Sequence, residues 1–206
     1  MTDLLLIRHG QAIHNLEGRW EGWGETPLTE EGKRQAEALA NRMSSWLPPV
    51  GILYTSPLRR ARQTAEPIAR RLDLTPVVCD DLREIDFGQV SGLTLDGFRE
   101  SMPELHARWQ DRSDLTFRFP DGEQRLAFFQ RVGRGLDAIS SRHPEARVAV
   151  VAHGGTLRAG LAHLFPDTMS NWWDYALDNG SLTQVRTGRL GHALLVLNDC
   201  LHIGDT

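Results

Sequence analysis

The chain predicts a single-domain α/β fold: a three-layer α/β/α sandwich around a mainly parallel sheet with an antiparallel edge strand. Three observations lead there. Short apolar runs at 4–7, 52–54 and 147–152 read as buried strands. The stretches between them carry apolar residues at helical spacing, the alternation that builds parallel sheets. The last two β-type runs flank a short turn, which makes them antiparallel.

The elements follow in order. Leu4 to Ile7 is a continuous apolar strand. Thr29 caps a helix whose first turn holds Glu30 and Glu31, with Ala36, Leu39, Ala40 and Met43 on its inner face. Ile52 to Tyr54 is the second strand. Ser56-Pro57 reads as an N-cap followed by proline at the first helical position, and Leu58, Ala61, Ala65, Ile68, Ala69 and Leu72 form that helix's apolar face. Pro76 to Cys79 is a short third strand. From Leu82 to Pro120 the pattern weakens, with helical pieces at 94–99 and 103–110, so 93–120 is expected to be a lid-like excursion from the one domain, 1–206. A longer helix begins around Gly122, with Leu126, Phe129, Val132, Leu136 and Ile139 inward. Arg147 to Ala152 is a strand, and a helix follows from about Thr156. Asn179-Gly180 marks a turn. Residues 181–186 and 192–197 pair as a hairpin through Thr187-Gly188-Arg189.

Of 206 residues, 40% are hydrophobic and 24% charged, ordinary for a globular chain. A net charge of -4 attracts neither nucleic acid nor an anionic membrane, so any anion site must come from locally placed cations. No apolar run approaches the ~18 residues of a membrane helix. Two distant cysteines, Cys79 and Cys200, make no disulfide framework, and a reducing, cytoplasmic setting is expected.

The chemistry concentrates at strand ends. The first strand ends in Arg8-His9-Gly10 and the late one in His153-Gly154-Gly155. Ligands bind beyond the carboxyl ends of parallel strands, and glycine lets backbone approach a ligand closely. A single histidine at one such end is more often structural; two matched ones point to a site. Arg59, Arg60 and Arg62 open a helix whose dipole favours acids, a cost that a bound phosphate offsets. Glu84, in Leu82-Arg83-Glu84-Ile85-Asp86-Phe87-Gly88, follows the third strand to the same edge. Repulsion from bound phosphate suits it to carry a proton for a leaving group. A neutral imidazole can attack phosphorus, arginines can hold the equatorial oxygens, and no step needs a metal or cofactor. A metal hydrolase lacks the expected ligand spacing here, and an esterase would need a Gly-x-Ser-x-Gly elbow that is absent.

These residues resemble the histidine phosphatase superfamily, in its phosphoglycerate-mutase-like branch. Leu-Ile-Arg-His-Gly-Gln-Ala-Ile-His-Asn, Thr-Pro-Leu-Thr-Glu-Glu-Gly-Lys-Arg-Gln-Ala, Ser-Pro-Leu-Arg-Arg-Ala-Arg-Gln-Thr-Ala, Leu-Arg-Glu-Ile-Asp-Phe-Gly and Val-Ala-His-Gly-Gly-Thr occur in family order across most of the chain. The resemblance implies His9 as the phosphorylated nucleophile. It implies Arg8, Arg60 and His153 as the phosphate pocket, assisted by Asn15, Gly10 and the backbone near Gly154. Glu84 matches the proton donor, and Glu21 and Gly22 fall where the first loop meets substrate. Gly155 stands where mutases resemble His-Gly-Asn, and Phe87 and Leu95 stand where they carry Tyr and Lys. The expected function is therefore metal-independent hydrolysis of a small phosphate ester. A cofactor-dependent phosphoglycerate mutase and a catalytically silent phosphate-binding regulator are the alternatives. The substrate and the oligomeric state, a homodimer included, are left open.

Overall fold

The computed structural model describes residues 1–166, 172–188 and 190–204. Its sheet has six strands: β1 (Thr2–Arg8), β2 (Ile52–Thr55), β3 (Val77–Val78), β4 (Arg147–Ala152), β5 (Leu182–Gly188) and β6 (Gly191–Asp199). The spatial order is β3-β2-β4-β1-β5-β6. The first four run parallel, and β5 and β6 are antiparallel. The expected antiparallel edge is thus two strands wide. Gly188 pairs with Gly191 where the hairpin turns; Arg189, placed in that turn by the sequence, lies outside the described residues.

Helices α1 (Ile13–Leu16), α2 (Glu30–Met43), α3 (Arg59–Leu72), α4 (Leu95–Ser101), α5 (Pro103–Gln110), α6 (Arg125–Arg142) and α7 (Gly154–Leu164) complete the layers. Alternation along β1 divides the core. Leu5 and Ile7 face α2 and α3, packing with Leu39, Met43, Ala61 and Ile68. Leu4 and Leu6 face the other way, with Phe128, Val132, Leu136 and Leu161. Thr29 caps α2 as expected, its hydroxyl accepting from the Gly32 amide.

Four expectations need correction. Helix α3 starts at Arg59 with Leu58 as N-cap, not at Pro57 after a Ser56 cap. Its first amide is met instead by the Glu25 carboxylate, 2.9 Å from Arg59 N. Strand β3 shrinks to Val77–Val78, both exposed at the sheet edge. Helix α6 opens at Arg125, three residues later than Gly122, and α7 opens at Gly154, two residues before Thr156. The 93–120 excursion contains α4 and α5 and is well packed. Phe98, Trp109, Phe117 and Phe119 from it are buried in the same cluster as α6 and α7.

Candidate active site

Parallel register sets the site. Arg8 pairs with Ala152, so the next residue on each strand, His9 and His153, emerge side by side. Their ring centroids are 5.2 Å apart. Arg60 reaches them from the first turn of α3: its Nε lies 3.3 Å from His9 Nε2 and 3.2 Å from His153 Nδ1. Arg59 and Arg62 are exposed, so of the three helix-opening arginines only Arg60 enters the site.

Hydrogen bonds define both tautomers. His9 Nδ1 sits 2.7 Å from the Gly10 carbonyl, which can only accept, so Nδ1 carries the proton and Nε2 keeps its lone pair. His153 Nδ1 accepts from Arg60, so its Nε2–H donates to Ser56 Oγ at 2.8 Å. That contact is the use of Ser56 that its reading as a helix cap missed. Burial, and then the Arg60 charge, hold both imidazoles well below the ordinary histidine value of 6.5; Arg8 adds to this at His9.

The neutral pair has a measurable consequence. Each ring has a lower pKa folded than unfolded, so below pH 6.5 the unfolded chain binds more protons. The stability they contribute is complete above that value and is lost on acidification, at roughly 3 kcal/mol per pH unit at most for two protons. The Tm should therefore fall steadily from pH 7 to 5, and fall less steeply in His153→Asn. A flat Tm over that range would mean the rings are not held neutral.

Arg8 lies beside this pair with its Nη1 on the Leu177 carbonyl. Burial and the neighbouring Arg158 push its pKa down to about 10, so it stays charged at neutral pH. Arg60 is almost wholly enclosed. Its Nη1 donates to Glu21 Oε2 at 3.1 Å and to the Gly24 carbonyl at 2.9 Å, and its Nη2 to the Gly22 carbonyl at 2.8 Å. Glu21 and Gly22, expected to meet substrate, line the cavity but also hold Arg60 in place. Asn15 lines it too, with Oδ1 accepting from the Ala12 amide.

Glu84 is buried and fixed by two backbone amides. Ile85 N donates to Oε1 at 2.9 Å and Gly155 N to Oε2 at 2.8 Å. Gly155 explains the glycine after Gly154. A Cβ there would sit 2.4 Å from Glu84 Oε1, so an asparagine would displace the carboxylate. Farther out, Arg131 donates to the carbonyls of Asp81, Arg83 and Glu84 while paired with Glu123 at 2.7 Å. That gives a structural use to the Pro120–Gln124 stretch, for which the sequence suggested none.

These groups converge on a cavity of about 220 Å³. Arg8, His9, Asn15, Glu21, Gly22, Arg60, Glu84 and Gly154 line it. Gly10 and His153 are not part of its wall. Gly10 gives its amide to Thr64 Oγ1 at 3.0 Å and its carbonyl to His9, so it positions the ring. His153 is fully buried against Arg60. The sequence reading missed His14, whose Nδ1 is 2.9 Å from Glu21 Oε2. It also missed Asn179, whose Nδ2 donates to the His9 carbonyl and to Asn15 Oδ1, each at 3.2 Å. The Asn179-Gly180 turn was the only visible signal for the latter. Among the described residues no group of three or more His, Cys, Asp and Glu gathers as metal ligands would, and no helix is long and apolar enough to cross a membrane.

A sequence profile of the histidine phosphatase superfamily (branch 1) matches residues 4–200. The chain belongs to that family. This histidine phosphatase is 32% identical over 205 residues to phosphoserine phosphatase 1 of Hydrogenobacter thermophilus, covering 100% of this chain and 96% of that protein. It is similar to the solved α-ribazole phosphatase of Shigella flexneri, with TM-score 0.85 and 27% identity over 96% of each chain. It is also similar to a mycobacterial glucosyl-3-phosphoglycerate phosphatase, with TM-score 0.82 and 30% identity over 95% of this chain and 98% of that one. As a member of this family the protein is a phosphoric monoester hydrolase, and the phosphatase reading of the sequence stands.

Proposed function

We propose that the enzyme hydrolyses a small phosphate ester with His9 as nucleophile, Arg8 and Arg60 holding the phosphoryl oxygens, and Glu84 as proton donor. The observation that carries this reading is the His9 tautomer. Its proton is committed to Gly10 O, so the Nε2 lone pair is the one presented beside Arg60. In the first step the Nε2 pair forms a P–N bond as the ester P–O bond breaks. The electron pair leaves on the alcohol oxygen, which takes a proton from Glu84. In the second step Glu84 removes a proton from water, the oxygen attacks phosphorus, and the P–N pair returns to Nε2. Because Nδ1–H stays on Gly10, the adduct is a cationic phosphoimidazolium, a good leaving group for the second attack. Arg8 and Arg60 neutralise the equatorial oxygens throughout. His153 supports Arg60 from behind, and Asn15 and the amide of Gly154 at the start of α7 face the same phosphoryl group.

The 93–120 segment serves as a fixed wall of the site, its buried phenylalanines giving it the packing of core. The free thiols of Cys79 and Cys200 fit a cytoplasmic enzyme.

Glu84→Gln tests the acid. Turnover of an alkyl phosphate, whose leaving oxygen needs the proton, should fall by about 10²- to 10³-fold. p-Nitrophenyl phosphate, with its acidic phenol, should lose far less. Equal losses on both substrates would remove Glu84 from this role.

A further inference from the structure

The cavity is far more aromatic than phosphoryl transfer requires. Beyond the groups that hold the phosphoryl, its wall includes Trp20, Phe87, Trp109, Phe119, Trp172 and Trp173. They arrive from four separate stretches of chain and meet in an unbroken series. Phe119 to Phe87 is 5.1 Å between centroids, Phe87 to Trp20 5.1 Å, Trp20 to Trp109 5.0 Å, Trp109 to Trp173 5.3 Å and Trp173 to Trp172 4.9 Å.

Several donors around this wall lack a partner, Arg8 Nε among them. Trp172 is more than nine-tenths buried, and its Nε1 has no hydrogen-bond partner among the described residues. A buried indole N–H ordinarily finds an acceptor. Arg158 donates its Nε to the Tyr175 carbonyl at 2.8 Å and lies 5.5 Å from the Trp173 ring; among the described residues no carboxylate is within ion-pair distance of it. Its Nη1 and Arg8 Nε flank the open side of Gly154, each 3.4 Å from where a Cβ would sit. What these groups have to spare is donors.

Among the described wall residues, no free carboxylate is offered to a cation. The carboxylates among the described wall residues are Glu21 and Glu84, and both are already engaged. Arg112 stacks on the Trp109 and Trp173 rings, 4.1 and 4.3 Å from their centroids, so those faces hold a guanidinium.

We infer that the alcohol half of the substrate is a planar apolar group bearing a hydrogen-bond acceptor or anion, and not an ammonium-bearing group such as an amino acid. This deepens the phosphatase reading and rests on it, because the phosphoryl group must sit at His9 for the rest of the ester to reach these rings. The ring of the alcohol packs against the Trp20–Trp109 wall, and its acceptor meets the Arg158 guanidinium.

The test is a series of primary-alkyl phosphates with leaving alcohols of similar acidity: ethyl phosphate, 2-phenylethyl phosphate, 2-(4-carboxyphenyl)ethyl phosphate and O-phosphoserine. The kcat/KM should rise at least about tenfold from ethyl to phenylethyl and rise again with the carboxylate. Phosphoserine should stay near ethyl phosphate. The phenylethyl-to-ethyl ratio should collapse in Trp109→Leu, which keeps apolar volume without the ring, and the carboxylate increment should vanish in Arg158→Gln. Ratios rather than rates are compared, so partial loss of folded enzyme does not mimic the result. A ratio near one in the wild type, a ratio preserved in both Trp109→Leu and Trp20→Leu, or a tenfold preference for phosphoserine would overturn the inference. If phosphate release persists in His9→Ala, the reading of His9 as nucleophile fails instead. If release depends on His9 while the ratio is flat, only the inference about the alcohol falls.

Discussion

Replacing His9 by alanine should lower kcat by at least about 10⁴-fold while the protein still unfolds cooperatively. The ring is buried among polar groups, and its removal takes away one acceptor from Arg60 while His153, Glu21, Gly22 and Gly24 still satisfy that guanidinium. The fold therefore keeps its strand end and loses only the lone pair that attacks. Rapid quench into alkaline detergent should trap a base-stable, acid-labile phosphoryl group on the wild type and none on His9→Ala. A variant that keeps near-normal phosphate release, or still takes up label, would refute the assignment. The same pair of measurements addresses the silent phosphate-binding alternative, which predicts no label on either protein.

Arg60→Ala should cost about 10³-fold in kcat/KM and on the order of 2–4 kcal/mol of stability. The guanidinium serves two structures at once. Its Nε faces both histidines, and its two Nη groups tie down the 21–24 loop through one carboxylate and two carbonyls. Burial lowers its pKa while Glu21 raises it, a charge held in a nearly dry place by its partners. Arg60→Lys should fail to rescue activity, because one ammonium cannot reach acceptors lying in three directions. Glu21→Gln, which removes the charge of one partner but keeps an acceptor, should lose less than about tenfold. Steady-state kinetics, inhibition by inorganic phosphate and thermal melts would separate these outcomes. A lysine variant with wild-type kcat/KM would show that charge alone suffices.

The layout of strands and helices was readable because each signal was local and periodic. The two His-Gly strand ends were visible as well, though the sequence does not say that β1 and β4 are neighbours. That adjacency turns two ordinary histidines into a pair. Local rules failed where a distant partner outbid them. Ser56 followed by Pro57 has the form of a helix start, yet its hydroxyl, besides accepting from the Leu58 amide, meets His153, 97 residues away in sequence, and Glu25 takes the first amide of the helix. Asn179, Gly155 and the Glu123–Arg131 pair carry no chemistry in isolation. Their contribution exists only through contacts with His9, Glu84 and the carbonyls around Glu84. The tryptophans at 172 and 173 had no periodic partner to mark them, and their role follows from meeting Trp109 of α5.

The glycines at 10 and 32 interlock. A Cβ on Gly10 would come within 2.4 Å of the Gly32 carbonyl oxygen, and one on Gly32 within 2.0 Å of the Gln11 carbonyl oxygen. The loop carrying the reactive ring is thus wedged against the first turn of α2 with no room for a single added methyl. A substitution in this chain is therefore better tolerated on the opposite side of the cavity. The floor that performs the displacement is frozen by backbone touching backbone, whereas the roof is made of side chains that can be exchanged one at a time. Exchanging those side chains should alter which alcohol is accepted while leaving the displacement itself in place.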